Sequence, residues 1–349
     1  MSRRALTLMA AGFLTLGLGV AGTVLPVPYV VLSPGPTENT IGDVEGKPVI
    51  SITGRQTYPT DGKLSLVTVA YQGGPGTRID LFTALRGWVD PAIAVVPEET
   101  IFPPTTTAEQ VEERNTQEMT NSQDDATAAA LTELKIDYTA LVVVAGTEKG
   151  FPAHGKFTQG DEIVSVDGVP VTDRRMIAST VQKHKVGEQV TFVVKRGGKD
   201  VTVTVPTVAA EEGGAPVVGI TMGIRYKFPF DVDISVGDVG GPSAGMMFSL
   251  GIMDKLTPGS MTGGKSIAGT GTITPDGVVG SIGGIQQKMV GAREAGATIF
   301  LTPAENCAEA LAAAPDGLTL VKVKTLHEAV QALGVVRTGS GTLPSCSTD

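Results

Sequence analysis

Cysteine is nearly missing from this 349-residue chain. The two present, Cys307 and Cys346, are too few for a disulfide framework or a four-cysteine zinc site. Histidine is as scarce: His154, His184 and His327 never approach the spacing of an HExxH helix, so a catalytic zinc is not expected. Positive charge is in deficit, with 27 Lys and Arg against 36 Asp and Glu. A net acidic chain without a long basic run makes a poor nucleic-acid partner, because phosphate contacts dominate that affinity. Aromatic residues are only 5%, so the cores must rest on Val, Ile, Leu, Ala and Met. What is plentiful is Gly (45) and Pro (22), enough to fill the chain with turns but short of low complexity. At about 150 residues per domain, the length suits two or three domains.

One long apolar run exists. Ala5 to Leu25 carries no charge, with Arg3 and Arg4 before it and Pro26 and Pro28 after it. Rising about 1.5 Å per residue, a helix here crosses a hydrocarbon core of roughly 30 Å, and the prolines end it. The flanking arginines predict a cytoplasmic N-terminus and export of the remainder. A cleaved signal peptide has a shorter apolar region, about 7–15 residues, and a small-residue cleavage site, which Val20-Ala21-Gly22 matches weakly. Residues 1–28 are therefore expected to be an uncleaved anchor, with a cleaved signal as the alternative. The expected location is the cell membrane, single-pass, with the C-terminal domains extracytoplasmic.

Residues 29–106 read as a β-rich stem: Val49–Ile52 and Leu64–Val69 are β-branched runs bounded by Gly, Pro and Asp, and residues 78–88 suit a short helix. Residues 107–135 favour a helix, with Met119, Ala126, Ala130 and Leu134 at helical spacing, so one face is expected to pack on the segment C-terminal to it. Then the pattern changes. Ala140–Val144 is a strand, and Gly160–Val171 reads as strand, tight Asp-Gly turn, strand. A helix over Arg174–His184 comes next, and then a hairpin closing through Gly197-Gly198. From 211 to 335, strands are predicted at 217–223, 230–236, 298–302 and 318–323, with helices at 243–255, 285–295, 304–314 and 325–334, an α/β or α+β pattern. The tail, 336–349, is expected to be disordered. Whether Cys307 and Cys346 pair stays open.

Three motifs compete for the chemistry. Gly259–Ser266 matches the phosphate-loop pattern, but that loop needs a buried strand before it and a helix after it. A helix end precedes it here, and a Gly- and Thr-rich stretch comes after. Gly241-Pro242-Ser243-Ala244-Gly245 fits a nucleophile elbow, with a strand before and an apolar helix after. Ser243 is equally suited to be an ordinary helix cap, and the only histidine downstream is His327, in a predicted helix. The third reading keeps Ser243 and adds Lys288. Ile285, Met289 and Ala292 define one helix face, and Lys288 falls on or beside it. Such a lysine either snorkels to water or is desolvated, so that its pKa falls and the amine accepts a serine proton.

Two resemblances bear on the choice. GDEIVSVDGVPV, with the helix and the hairpin after it, resembles the PDZ family, whose members take an extended peptide as an added strand. The family's Gly-Leu-Gly-Phe loop is not evident before Leu141, so no ligand residues are assigned. GGPSAGMMFSL, then GTGTITPDGVVGSIGGIQQKMVGAREAGATIFLTPAEN, resembles the proteolytic domain of Lon protease. By position the resemblance implies Ser243 as nucleophile, Lys288 as general base and Thr270 as the residue orienting the lysine. The family often carries an acidic residue two before the proline, where this chain has Gly240; Asp238 lies nearby but out of register.

The whole resembles the bacterial membrane-anchored PDZ–Lon proteins. The expected fold is multidomain: transmembrane helix, β-rich stem, a PDZ-like α+β module with its preceding helix (107–210), and an α/β Lon-type proteolytic domain (211–335). The resemblance implies an ATP-independent serine endopeptidase without cofactor, acting on extracytoplasmic peptides or unfolded segments, and by analogy a homo-oligomer. The alternative is a membrane-anchored PDZ scaffold whose Lon-like domain is inactive or gated.

Overall fold

The computed structural model describes residues 3–44, 46–211, 213–237 and 239–347, so Asp238 lies outside the described residues. The chain divides into two compact units, Met1–Ile136 with Phe230–Asp349, and Asp137–Pro229.

The first unit opens with α1 (Arg3–Val24), long and apolar enough to cross a membrane. β1 (Tyr29–Asn39), β2 (Lys63–Gln72), α2 (Leu81–Val89), β3 (Ala94–Pro97) and α3 (Ala108–Glu133) come next. The chain returns to this unit with α4 (Gly245–Leu256), β4 (Ser266–Gly269), α5 (Ile285–Glu294) and β5 (Ile299–Pro303). It closes with α6 (Cys307–Ala312), β6 (Thr319–Val323) and α7 (Leu326–Thr338). The strands form one sheet in the order β6–β5–β4–β2–β1–β3. β6, β5, β4 and β2 are parallel, while β1 is antiparallel to both its neighbours.

The expected stem is therefore not a separate domain, because its strands complete the sheet of the C-terminal domain. The reason is visible in β2. Leu64 and Leu66 point to one face and Ser65 and Val67 to the other, and all four are buried. A strand buried on both faces needs a covered sheet around it. α4 and α5 both pack on β2. α4 is buried all round except at Lys255, as a helix with apolar residues on every side must be. α5 turns Ile285, Met289 and Ala292 into the core beside Val67, Ala268 and Phe300.

α3 starts at a capping box, in which the Gln110 backbone N–H donates to Thr107 Oγ1 (3.2 Å) and the Thr107 N–H to Gln110 Oε1 (3.0 Å). Its inward face packs along α4, and the Ser249 hydroxyl donates to the Ala126 carbonyl at 3.0 Å. The sequence groups α3 with the PDZ-like segment after it, but the fold places it in the unit that holds α4 and α5. The tail also differs from expectation. Cys346 is buried in a disulfide with Cys307, the Lys322 N–H donates to the Pro344 carbonyl at 2.8 Å, and α7 runs on to Thr338.

The second unit is an antiparallel sheet in the order Lys199–Pro206, Gln189–Arg196, Glu162–Val166, Thr139–Thr147, Ile220–Lys227. The last strand, predicted to open the C-terminal domain, pairs with Thr139–Thr147 instead and moves that boundary to Pro229. Asp167 and Gly168 take φ of +50° and +76°, as the Asp-Gly turn demands. The helix Arg174–Val181, capped by Asp173, borders a groove of about 410 Å³ lined by Ile177, Val181, Val218, Ile220 and Met222.

Candidate active site

The site is built where three segments of the first unit meet. The first arrives from the strand Asp231–Ile234, which pairs with Ile50–Thr53 and then rides over α3. Gln123 Nε2 donates to the Ile234 carbonyl (3.2 Å), the Gly241 N–H to the Asn115 carbonyl (3.0 Å), and Ser122 Oγ to the Pro242 carbonyl (3.0 Å). These bonds set Ser243 down just ahead of α4. Gly240 passes so close to α3 that a Cβ there would come within 2.8 Å of the Asn115 Cβ. The acidic residue that the resemblance leads one to expect at this position has no room, because α3 occupies it.

The second segment is the end of β4. Thr270 Oγ1 and the Gly271 N–H both donate to the Ser243 carbonyl, at 3.0 and 2.9 Å. Gly269 permits this approach: a Cβ there would lie 2.8 Å from Met247 Sδ and 2.9 Å from the Leu301 Cβ. The third segment is α5. Lys288 reaches back from its second turn, and Nζ donates to Ser243 Oγ (2.7 Å) and to Thr270 Oγ1 (3.0 Å). Ser243, Lys288 and Thr270 are thus brought together.

Lys288 is only 3% exposed, and among the described residues it makes no ion pair. Burial removes the water that stabilises an ammonium, so the pKa falls from 10.5 to about 7. Thr270 spends its hydroxyl proton on the Ser243 carbonyl, so only its lone pairs face Lys288. That fixes the direction of one amine proton, and once the amine is neutral its lone pair can turn to accept from Ser243 Oγ.

Ser243 and Lys288 open on a cleft of about 1200 Å³, with Thr270 buried behind them. One wall is α3 (Asn115, Met119), one is β2 (Thr68 to Ala70), and one is the loop Ser281–Gly283 ahead of α5. β4 pairs with β2 only over Lys63–Leu66, so the edge of β2 beyond Leu66 faces the cleft on that side. Asn306 clamps the loop: Nδ2 donates to the Ile282 carbonyl and the Ile282 N–H donates to Oδ1, both at 2.9 Å.

The competing motifs end elsewhere. Gly259–Ser266 leads into β4 rather than a helix, and Lys265 Nζ donates to the Val336 carbonyl at 2.6 Å. His327 lies exposed on α7, 2.7 Å from Glu133 Oε1 and outside the cleft lining. Asn115, Ser122 and Asn306 are site residues that the sequence motifs do not reveal. The first two had a legible signal: Val111, Asn115, Met119, Ser122 and Ala126 recur at intervals of three and four residues, so two polar groups sit on the apolar stripe of α3. Asn306 had none, since its partner is a backbone segment distant in sequence.

Comparison with known proteins identifies two domains in the chain. Residues 230–335 match the family model for the Lon protease (S16) C-terminal proteolytic domain, and residues 117–207 match the PDZ domain. The chain is 34% identical over 113 residues to Lon protease 2 of Bacillus subtilis (strain 168), covering 31% of this chain and 19% of that protein. It therefore spans about a fifth of that relative's length. Among solved structures, the PDZ domain of the SdrC-like protein Lin2157 from Listeria innocua is 27% identical, over 24% of this chain and 92% of that one, with a TM-score of 0.23. The second domain of the Listeria protein Lin2157 is 28% identical over 26% and 89%, also with a TM-score of 0.23.

Proposed function

From a chain that joins a PDZ domain to a serine-peptidase domain of the Lon type, we propose an endopeptidase working through a Ser243–Lys288 dyad and needing no nucleotide for its chemistry. The 2.7 Å contact between Lys288 Nζ and Ser243 Oγ inside a buried pocket carries the reading. Neutral Lys288 accepts the Ser243 hydroxyl proton as Oγ attacks the peptide carbonyl. Backbone N–H groups beside Ser243, ahead of α4, stabilise the oxyanion that forms. Lys288 then passes the proton to the leaving amine, and the C–N bond breaks to give an acyl-enzyme. Water, deprotonated by Lys288, attacks the ester; the proton returns to Ser243 Oγ and the acid leaves. Thr270 acts through Lys288 by holding one amine proton away from the reacting lone pair.

The substrate is an extended segment, whose main chain adds along Thr68–Ala70 as a further strand. Folded protein cannot present one, so the substrates are peptides, tails and unfolded loops. The groove beside Arg174–Val181 docks such segments. We place α1 across the cell membrane, with both units outside the cytoplasm, as the arginines before it favour. Assembly into a homo-oligomer is part of the same proposal.

The test is cleavage of a fluorogenic peptide by wild type, Ser243→Ala and Lys288→Ala, beside covalent labelling by a serine-directed fluorophosphonate. Wild type should cleave and be labelled, and both variants should fail. Full turnover in either variant would overturn the dyad. Peptide binding that survives Ser243→Ala, with no turnover by wild type, would favour a PDZ scaffold instead.

A further inference from the structure

α2 is apolar on its outer face as well as on the face it buries. Ala84 and Gly87, three residues apart, turn inward and are buried. Gly87 lies so close to the sheet that a Cβ would come 2.5 Å from Val95 Cγ2, so the helix backbone packs directly on the sheet. The opposite face carries Phe82, Leu85, Trp88 and Val89, which are 45, 42, 54 and 82% exposed. Arg86, also exposed, flanks them. Single exposed apolar residues need no explanation, but four large ones on one short helix do.

The face is continuous with α1. The Phe82 ring covers Gly22 in the last turn of α1, the one residue that helix buries. Pro26-Val27 pair antiparallel with Ile79-Asp80, directly before α2. Trp88 stacks edge-on against Tyr29, with ring centroids 5.6 Å apart. Val24 and Leu25 extend the exposed apolar surface from one helix to the other. An α1 of 22 residues is about 33 Å long, so its final turn reaches the far boundary of a bilayer. Tryptophan and tyrosine collect at that depth, and amphipathic helices lie there in the plane of the interface.

We propose that α2 is a membrane-interface helix, whose outer face rests in the headgroup–acyl boundary of the lipid bilayer that α1 crosses. The proposal builds on the anchor reading of α1. It also sets the height of the catalytic cleft. β1 runs from Tyr29 to Pro36 in the cleft wall, roughly 20 Å at the rise of a strand.

The chain holds one tryptophan, so Trp88 reports on this face alone. The full chain is reconstituted into phosphatidylcholine vesicles, with and without brominated acyl chains, and flotation after an alkaline wash reads α1 separately. We expect floating protein whose Trp88 emission falls roughly twofold with the brominated lipid and resists aqueous acrylamide. Floating protein with Trp88 open to acrylamide and untouched by bromine overturns the proposal while the anchor stands. Trp88 shielded from both quenchers also overturns it, in favour of a contact between copies. If the protein does not float, the anchor reading fails; vesicles added to the free protein then decide, bromine quenching upholding the α2 face and its absence refuting it.

Discussion

Replacing Lys288 with methionine separates its chemical role from its structural cost. Methionine keeps the length and packing of the side chain but cannot hold a proton. In wild type, burial lowers the lysine pKa to about 7, against 10.5 for the unfolded chain. Below pH 7 both states carry the proton, and the folded state bears the full cost of a buried charge. Between pH 7 and 9 the folded state sheds a proton that the unfolded chain keeps, so stability rises with pH. At about 1.4 kcal/mol per pH unit, and with the folded state half-protonated at the start, the gain is roughly 2 kcal/mol. Urea denaturation should therefore find Lys288→Met more stable than wild type at pH 6, with the gap closing by about 2 kcal/mol at pH 9. The same titration governs turnover. Wild-type kcat/KM should climb about tenfold per pH unit below 7 and level off above it, while the variant loses about a thousandfold at its best pH. A pH–rate profile flat from 5.5 to 8.5, or a stability gap that does not change with pH, would refute the neutral-amine argument.

Ser243→Ala should end hydrolysis and fluorophosphonate labelling while changing stability by less than about 1 kcal/mol, since the carbonyl of residue 243 keeps both its donors. Thr270→Val removes the acceptor that orients Lys288 and one donor to the Ser243 carbonyl; kcat should fall about tenfold to a hundredfold with KM little changed, and Thr270→Ser should recover most of it. Gly245→Ala drives a Cβ to 2.7 Å from Ile273 Cγ2 and 3.0 Å from Ser122 Oγ, costing about 2 kcal/mol by thermal denaturation and displacing the nearby Ser243. In the PDZ unit, Arg196 holds the buried Asp161 carboxylate at 2.6 Å and lowers its pKa. Arg196→Met should cost that unit about 2 kcal/mol at neutral pH by hydrogen exchange, a difference that fades only as the pH drops below the ordinary carboxylate value of 3.8.

The sequence by itself determined whatever rests on local pattern. The apolar run behind Arg3 and Arg4 forms α1, Asp167-Gly168 makes its turn, and the 3.6-residue period fixes α3, α4 and α5. The two family resemblances also lie in contiguous text, and both are matched. Pairing between distant segments was not legible, because a strand's pattern records that it is buried and not against what. Hence Lys63–Gln72 looked like part of a stem, though it is the parallel neighbour of Ser266–Gly269. Ile220–Lys227 looked like the start of one domain, though it closes the sheet of another. The open question for Lys288, between snorkelling to water and desolvation, is of the same kind. Its position on α5 put it on or beside the apolar face, and both fates suit that position. Only the tertiary structure decided, because the end of β4 and the start of α4 converge over the amine, exclude water from it and leave two hydroxyl oxygens as its neighbours.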